Sequence, residues 1–162
     1  VLAIAGPADD ARLAALGLPI LTDTAPDAGP LAGISAALNG ATALLPRCRA
    51  VLIVPVDCPF LPGGLAGRLA EGMAAAGAAL AYAVSGEWAH PTVSLWSPAL
   101  ATGLADLMRK EENQRVGAAV RRLGGVAVPF ESAPVDPFFN INGPDDLARA
   151  EAMHQALASR QS

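Results

Sequence analysis

The chain has 162 residues, of which 52% are hydrophobic and 16% charged, and its formal net charge is −4. This length and composition are typical of one compact globular domain and exclude a disordered chain. The acidic balance leaves no basic face for nucleic acid or an anionic membrane, and no apolar run approaches the roughly 20 residues that span a bilayer. The two cysteines, Cys48 and Cys58, form neither a disulfide framework nor a metal motif, which favours reduced thiols in the cytoplasm.

In the first third of the chain, short apolar runs alternate with helical patterns. Residues 1–6 and 18–23 predict strands, and residues 9–17 predict a helix that ends at Gly17. A turn-rich loop over 24–30 precedes a helix of small residues over 31–45. The next strand, "CRAVLIVPVD" over 48–57, is almost continuously apolar, which indicates a strand covered on both faces.

The remaining elements continue this alternation. Residues 63–77, 98–110, 114–124 and 145–161 predict helices, and residues 78–85, 87–96 and 125–131 predict strands. Pro91 argues that the strand over 87–96 lies at an edge or bends, since proline donates no ladder hydrogen bond. The whole pattern predicts a single α/β domain over 1–162, with a mostly parallel sheet and helices on both faces.

Acidic residues end two of the first three predicted strands. Asp23 and Asp57 are each followed by proline and glycine, and ligands of open α/β sheets bind beyond the carboxyl ends of the strands. Carboxylates placed there could hold Mg²⁺, which is usually bound through one or two of them plus substrate phosphates. The segment "AGPLAG" between Asp23 and the next helix could bring backbone N–H groups to an anion.

Each of these features also has a purely structural interpretation. An aspartate at a strand end is commonly a turn former or a helix cap, and Gly-Pro commonly opens a helix. His90 before Pro91 is more often a structural histidine than a catalyst, and Asn140 and Asn142 in "FFNINGP" could satisfy backbone groups in a turn. The residues alone leave these alternatives open.

As a set, however, these motifs resemble one family. The order "LPILTD", "GPLAGISAAL", "VLIVPVDCPFLP", "HPTVSLW" and "DPFFNINGPDDLARAE" is similar to that of the bacterial molybdenum cofactor guanylyltransferases, over essentially the whole chain. The resemblance implies a Rossmann-like nucleotidyltransferase fold. It also implies an Mg²⁺-dependent enzyme that transfers GMP from GTP to molybdopterin carrying molybdenum and releases pyrophosphate. Molybdoenzyme delivery proteins are further partners that the family suggests.

Site residues follow from the resemblance position by position. Asp57 matches the metal-binding aspartate, and Asn140 and Asn142 match asparagines on the side of the pterin substrate. The nucleotide side is matched by five residues: Asp23, Gly29, Pro30, Leu31 and Gly33. No catalytic base is assigned, to His90 or to any other residue, because nucleotidyl transfer relies mainly on positioning and charge neutralisation.

One family feature has no counterpart in the sequence. The family opens with a strand and a glycine-rich loop of the type L-x-G-G-x-S-x-R-M-G-x-D-K, whose backbone N–H groups, Arg and Lys surround the nucleotide phosphates. We therefore expect the 162 residues to be the truncated or ordered part of a longer chain, lacking a central strand. Removing that positive charge from a triphosphate site is expected to lower the rate by orders of magnitude.

Three other functions compete with the guanylyltransferase, and one of them, a sugar-nucleotide pyrophosphorylase-like enzyme, would require a sugar-phosphate pocket that the sequence does not reveal. A cytidylyltransferase for the same pterin would prefer CTP, although those relatives read closer to G-M-x-x-S where this chain has "GPLAG". A non-catalytic relative would bind a nucleotide or a partner protein without turnover, which the absent loop favours.

Overall fold

The computed structural model describes residues 2–7, 9–22, 29–110 and 115–159. Their strands and helices alternate over most of the chain, and none of the described helices combines the length and apolarity that a membrane crossing requires. The elements in chain order are β1 (Ile4–Ala5), α1 (Ala11–Ala14), β2 (Ile20–Leu21), α2 (Pro30–Leu44), β3 (Val51–Ile53), α3 (Leu65–Ala76), β4 (Leu80–Ser85), β5 (Trp88–Trp96), a 3₁₀ turn (Pro98–Leu100), α4 (Ala101–Lys110), α5 (Val116–Arg122), β6 (Val126–Phe130) and α6 (Pro144–Ala158).

The described strands form two sheets. β1 and β2 pair in parallel, with Ile4 opposite Ile20, and the larger sheet has the order β3-β5-β4-β6. In that sheet β4 pairs with β6 in parallel, whereas β5 runs antiparallel to both β3 and β4. The α/β fold is as predicted, but the sheet is more mixed than a mostly parallel one. The reason is local: only two residues, Gly86 at φ 56° and Glu87, connect β4 to β5, and a two-residue turn forces an antiparallel hairpin.

Helices cover both faces of the larger sheet, because alternate residues of each strand point to opposite sides. On one face, Leu80 and Trp96 belong to a buried cluster with residues of α2, α4 and α5. On the other face, Ala81 and Leu95 belong to a second buried cluster with Leu69 of α3. The prediction of helices on both faces is thus confirmed.

The strands nearest the candidate site are shorter than predicted. β3 covers Val51–Ile53 instead of residues 48–57, and β2 covers Ile20–Leu21 instead of 18–23. Among the described strands, β1 pairs only with β2 and β3 pairs only with β5, so each has one edge without a strand partner. A strand paired on one side has fewer hydrogen bonds to extend it, and Pro55 cannot donate one. These two edges line a single groove with a volume of about 690 Å³.

Candidate functional site

The groove between β1 and β3 brings together residues from two predicted parts of the site. Pro30 and Gly33 of α2 line it, and so does Asp57, which lies in a turn four residues after the end of β3. The predicted nucleotide side and the predicted metal ligand therefore open onto one shared space. Most of the remaining lining is apolar and comes from β1, α2 and the residues around β3.

The segment "GPLAG" is the start of a helix and not an extended loop. Gly29 is the N-cap of α2 at φ 62° and ψ −152°, a backbone conformation that favours glycine, and Pro30 occupies the first helical position. The Leu31 side chain is only 2% exposed and packs in the core, so any contact from Leu31 to a ligand would come from its backbone. A Cβ at Gly33 would lie 3.6 Å from the Ala5 Cβ, which shows how closely α2 approaches β1.

Asp57 is held against the loop that follows β6. Its Oδ2 accepts a hydrogen bond of 3.3 Å from Asn140 Nδ2, and its backbone carbonyl accepts one of 3.0 Å from Ile141 N–H. The neighbouring Cys58 Sγ lies 3.0 Å from Asn140 Oδ1. Residues more than 80 positions apart in the sequence are thus neighbours, and Asp57 remains partly exposed.

Asn142 is not at this contact. The Asn142 N–H donates to Asp146 Oδ2 at 3.2 Å, so its backbone contacts the first turn of α6. Its side chain is exposed and does not line the groove. Asp23 lies outside the described residues.

Asp57 has the carboxylate chemistry that Mg²⁺ requires, although it supplies few ligands. Within the described ranges, no group of three or more His, Cys, Asp or Glu side chains could hold a metal ion by itself. One carboxylate is nevertheless compatible with Mg²⁺, which keeps several waters and takes the rest of its ligands from substrate phosphates. The Asn140 amide lies beside this carboxylate, with Nδ2 facing Asp57 Oδ2 and Oδ1 facing Cys58 Sγ. The site fits a metal that arrives with a nucleotide.

Comparisons with known proteins identify the family. Residues 1–126 match the family described as "MobA-like NTP transferase domain". The molybdenum cofactor guanylyltransferase of Mesorhizobium japonicum is 42% identical over 98% of this chain and 78% of its own length. That of Nitrobacter hamburgensis is 43% identical over 90% of this chain and 70% of its own length. The chain belongs to the molybdenum cofactor guanylyltransferases.

Solved structures with the same fold include other nucleotidyltransferases. The molybdopterin-guanine dinucleotide biosynthesis protein A of Archaeoglobus fulgidus superposes with a TM-score of 0.70 at 23% identity, covering 90% of this chain and 73% of that one. The 2-C-methyl-D-erythritol 4-phosphate cytidylyltransferase of Thermus thermophilus gives 0.63 at 24% identity, covering 94% and 81%. The nucleotidyltransferase-like fold of the guanylyltransferase is thus confirmed.

The structure also shows a polar network that the sequence analysis of this guanylyltransferase missed. Ser85 Oγ, on β4, lies 2.7 Å from His90 Nε2 on β5 and donates to Asp136 Oδ1 at 2.9 Å. Burial lowers the pKa of His90 below its usual range, and the Asp136 charge opposes that shift. A signal was present in the sequence, since Asp136 precedes a proline and begins "DPFFNIN", but a contact across 51 residues cannot be read from spacing.

Cys58 is the second residue whose role only the structure shows. Burial raises the pKa of its thiol to about 11, and the nearby Asp57 and Asp136 charges add to the effect. The thiol is therefore protonated at neutral pH, which leaves it as a weak hydrogen-bond donor to Asn140. Both cysteines are free.

Proposed function

We propose that this guanylyltransferase transfers the GMP moiety of GTP to the terminal phosphate of molybdopterin carrying molybdenum. A phosphate oxygen of the pterin forms a bond to the α-phosphorus of GTP, the bond between the α- and β-phosphates breaks, and pyrophosphate leaves. The family membership supports the reaction type. The observation that carries the site assignment is that Asp57 and the first turn of α2 line the same groove.

Within this proposal each predicted residue has a part. The first turn of α2 binds the nucleotide: the backbone N–H groups of Gly29 and Leu31 lack partners within the helix, and Pro30 and Gly33 line the groove beside them. Asn140 and Asn142 face the pterin substrate, and Asp23 is assigned to the nucleotide side.

Asp57 holds Mg²⁺ in this proposal, with Asn140 beside it. A bound Mg²⁺ would neutralise phosphate charge and orient the transferring group. The protein residues orient the substrates around that charge. No general base is assigned, since positioning and electrostatics supply most of the acceleration in such transfers.

We place this reaction in the cytoplasm, where the free thiols Cys48 and Cys58 remain reduced. The product is then passed to molybdoenzymes or to proteins that deliver it to them.

The test is transfer of radiolabelled GMP to molybdenum-charged molybdopterin in the presence of Mg²⁺, with CTP in parallel. We expect GTP to be preferred. Asp57→Asn is expected to lower the transfer rate by about a hundredfold or more, because it removes the charge that holds the metal. The matched control is Asp145→Asn, an exposed aspartate in the first turn of α6. A preference for CTP, GTP binding without transfer, or full activity of Asp57→Asn would contradict the proposal.

A further inference from the structure

One short segment connects the Asp57 contact to the partly buried network of Ser85, His90 and Asp136. The segment covers residues 136–142 and follows β6. At its start, Asp136 Oδ1 accepts hydrogen bonds from Ser85 Oγ at 2.9 Å and from Phe138 N–H at 3.0 Å. At its other end, Asn140 and Ile141 contact Asp57.

The hydrogen bonds of Ser85 define which atoms of the network donate and which accept. Ser85 is 1% exposed and has one hydroxyl proton, which it donates to the Asp136 carboxylate. Its contact with His90 at 2.7 Å then requires that Ser85 Oγ accept a hydrogen bond from Nε2–H. A neutral His90 must therefore carry its proton on Nε2, a tautomer that depends on Asp136.

The middle of the segment is fixed by packing. Phe138 is buried, with its ring centroid 4.8 Å from that of His90 and 5.3 Å from that of Phe130 in an edge-to-face arrangement. Its carbonyl oxygen lies 3.7 Å from Cys58 Sγ, next to Asp57. The backbone between Asp136 and Asn140 thus has little freedom once Asp136 is anchored.

We propose that Asp136 is a positioning residue for the transfer site. Through Ser85 Oγ and the Phe138 N–H it fixes the turn that places Asn140 and Ile141 on Asp57. It acts without touching substrate, and this inference rests on the proposed metal site at Asp57. Ser85 and His90 belong to the same network, since Ser85 donates to the Asp136 side chain and His90 donates to Ser85.

The test compares Asp136→Ala with Asp136→Asn in the whole chain. Asparagine has nearly the same shape and keeps an oxygen that can accept both hydrogen bonds, so it should rescue the arrangement that alanine destroys. The matched control is Ser94→Ala, because Ser94 is buried in β5 as Ser85 is in β4, and it makes two hydrogen bonds, to Pro91 O at 2.9 Å and from Trp96 Nε1 at 2.8 Å. Those bonds do not involve the segment 136–142.

Two readouts need neither nucleotide nor metal. Amide hydrogen exchange at Ile141 should accelerate about tenfold or more in Asp136→Ala and stay unchanged in Asp136→Asn and Ser94→Ala. Nitrogen NMR of the His90 ring at mildly alkaline pH should show the proton on Nε2 in the wild type and in Asp136→Asn. In Asp136→Ala the Ser85 hydroxyl can donate to Nε2, so the Nδ1–H tautomer should appear. Unchanged Ile141 exchange, or an Nδ1–H tautomer in the wild type, would overturn the proposal.

Binding of Mn²⁺, as a probe for the divalent ion, separates this proposal from the proposed function. We expect the affinity to fall about tenfold in Asp136→Ala and to be kept in Asp136→Asn and Ser94→Ala. A wild-type chain without Mn²⁺ affinity would contradict the proposed function. A wild-type affinity that Asp136→Ala leaves unchanged would contradict only the positioning role of Asp136.

Discussion

At the scale of single residues, the buried Cys58 and the half-buried His90 are expected to behave differently from exposed side chains of the same type. Cys58 is buried beside Asp57 and Asn140, and the imidazole of His90 is packed against Phe138 and bonded to Ser85. Each environment disfavours the charged form of the side chain, which is a direct consequence of removing it from water. Both shifts can be measured without substrate.

We expect Cys58 to resist alkylation in the folded protein. Its pKa of about 11 lowers the thiolate fraction at neutral pH about a hundredfold below that of an exposed thiol, and burial blocks the reagent as well. The measurement is the rate of reaction with iodoacetamide in a Cys48→Ser background, folded and in denaturant. Equal rates in the two states would show that Cys58 is not buried at the Asp57 contact.

Stability is expected to fall when the pH drops through the titration of His90. Because burial lowers the pKa of His90 in the folded state, the unfolded chain binds more protons between that pKa and the ordinary value of about 6.5. The free energy of unfolding therefore rises with pH across this window, and the contribution of His90 to it is lost on acidification. The Asp136 charge reduces the effect.

Urea denaturation at a series of pH values measures this dependence. His90→Gln should abolish it, whereas substitution of the exposed His154 by glutamine should leave it in place. A dependence that persists in His90→Gln would assign it to other groups.

At the scale of elements, the sequence predicted most helices and strands but not their exact lengths near the groove. α2, α3, α4 and α6 lie within about two residues of the predicted bounds at most ends, because their helical periodicity and their Gly and Pro boundaries are local signals. β3 is much shorter than its apolar run. Strand length depends on the pairing available at both edges, and the residues of the apolar run do not indicate how much pairing is available.

Two glycines of α3 should respond oppositely to alanine. A Cβ at the exposed Gly67 would meet no atom within 4 Å, so Gly67→Ala should raise the free energy of unfolding by about 0.5–1 kcal/mol through helix propensity. A Cβ at Gly72 would contact the Val128 Cγ2 of β6 with severe overlap, and valine has few rotamers with which to move away. Gly72→Ala should therefore destabilise by about 1–3 kcal/mol.

Urea titrations of the two alanine variants test this pair, and each serves as the control for the other. A stabilising Gly72→Ala would mean that α3 and β6 are not in close contact.

At the scale of the whole molecule, the groove between β1 and β3 is the unusual feature. Val56 is fully exposed, and Leu2, Leu52 and Val54 are among the exposed large hydrophobic residues. All four also line the groove. Two strand edges without partners in the described residues face this apolar space. We propose that a further extended strand completes the sheet there within the same single domain, since both edges offer backbone hydrogen bonds.

The open groove should make the isolated chain self-associate. Unpaired strand edges and a contiguous apolar surface favour edge-to-edge pairing between copies. Val54→Lys should reduce this association, because an inward-pointing charge blocks strand addition, whereas Leu147→Lys on α6 should not. Sedimentation velocity over a range of concentrations measures the effect. A monomeric wild type at high concentration would contradict it.

The sequence by itself determined the family and the α/β class, and it supplied the candidate site residues, because motifs such as "GPLAG" and "DPFFNIN" and the helical periodicities are local in the chain. Tertiary structure decided which of these residues meet. It brought Asn140 onto Asp57, turned Asn142 toward α6 and joined Ser85, His90 and Asp136 into one partly buried network. The contact between Ser85 and Asp136 spans 51 positions, and the contact between Asp57 and Asn140 spans 83. Both depend on strand order and packing, which no local pattern encodes.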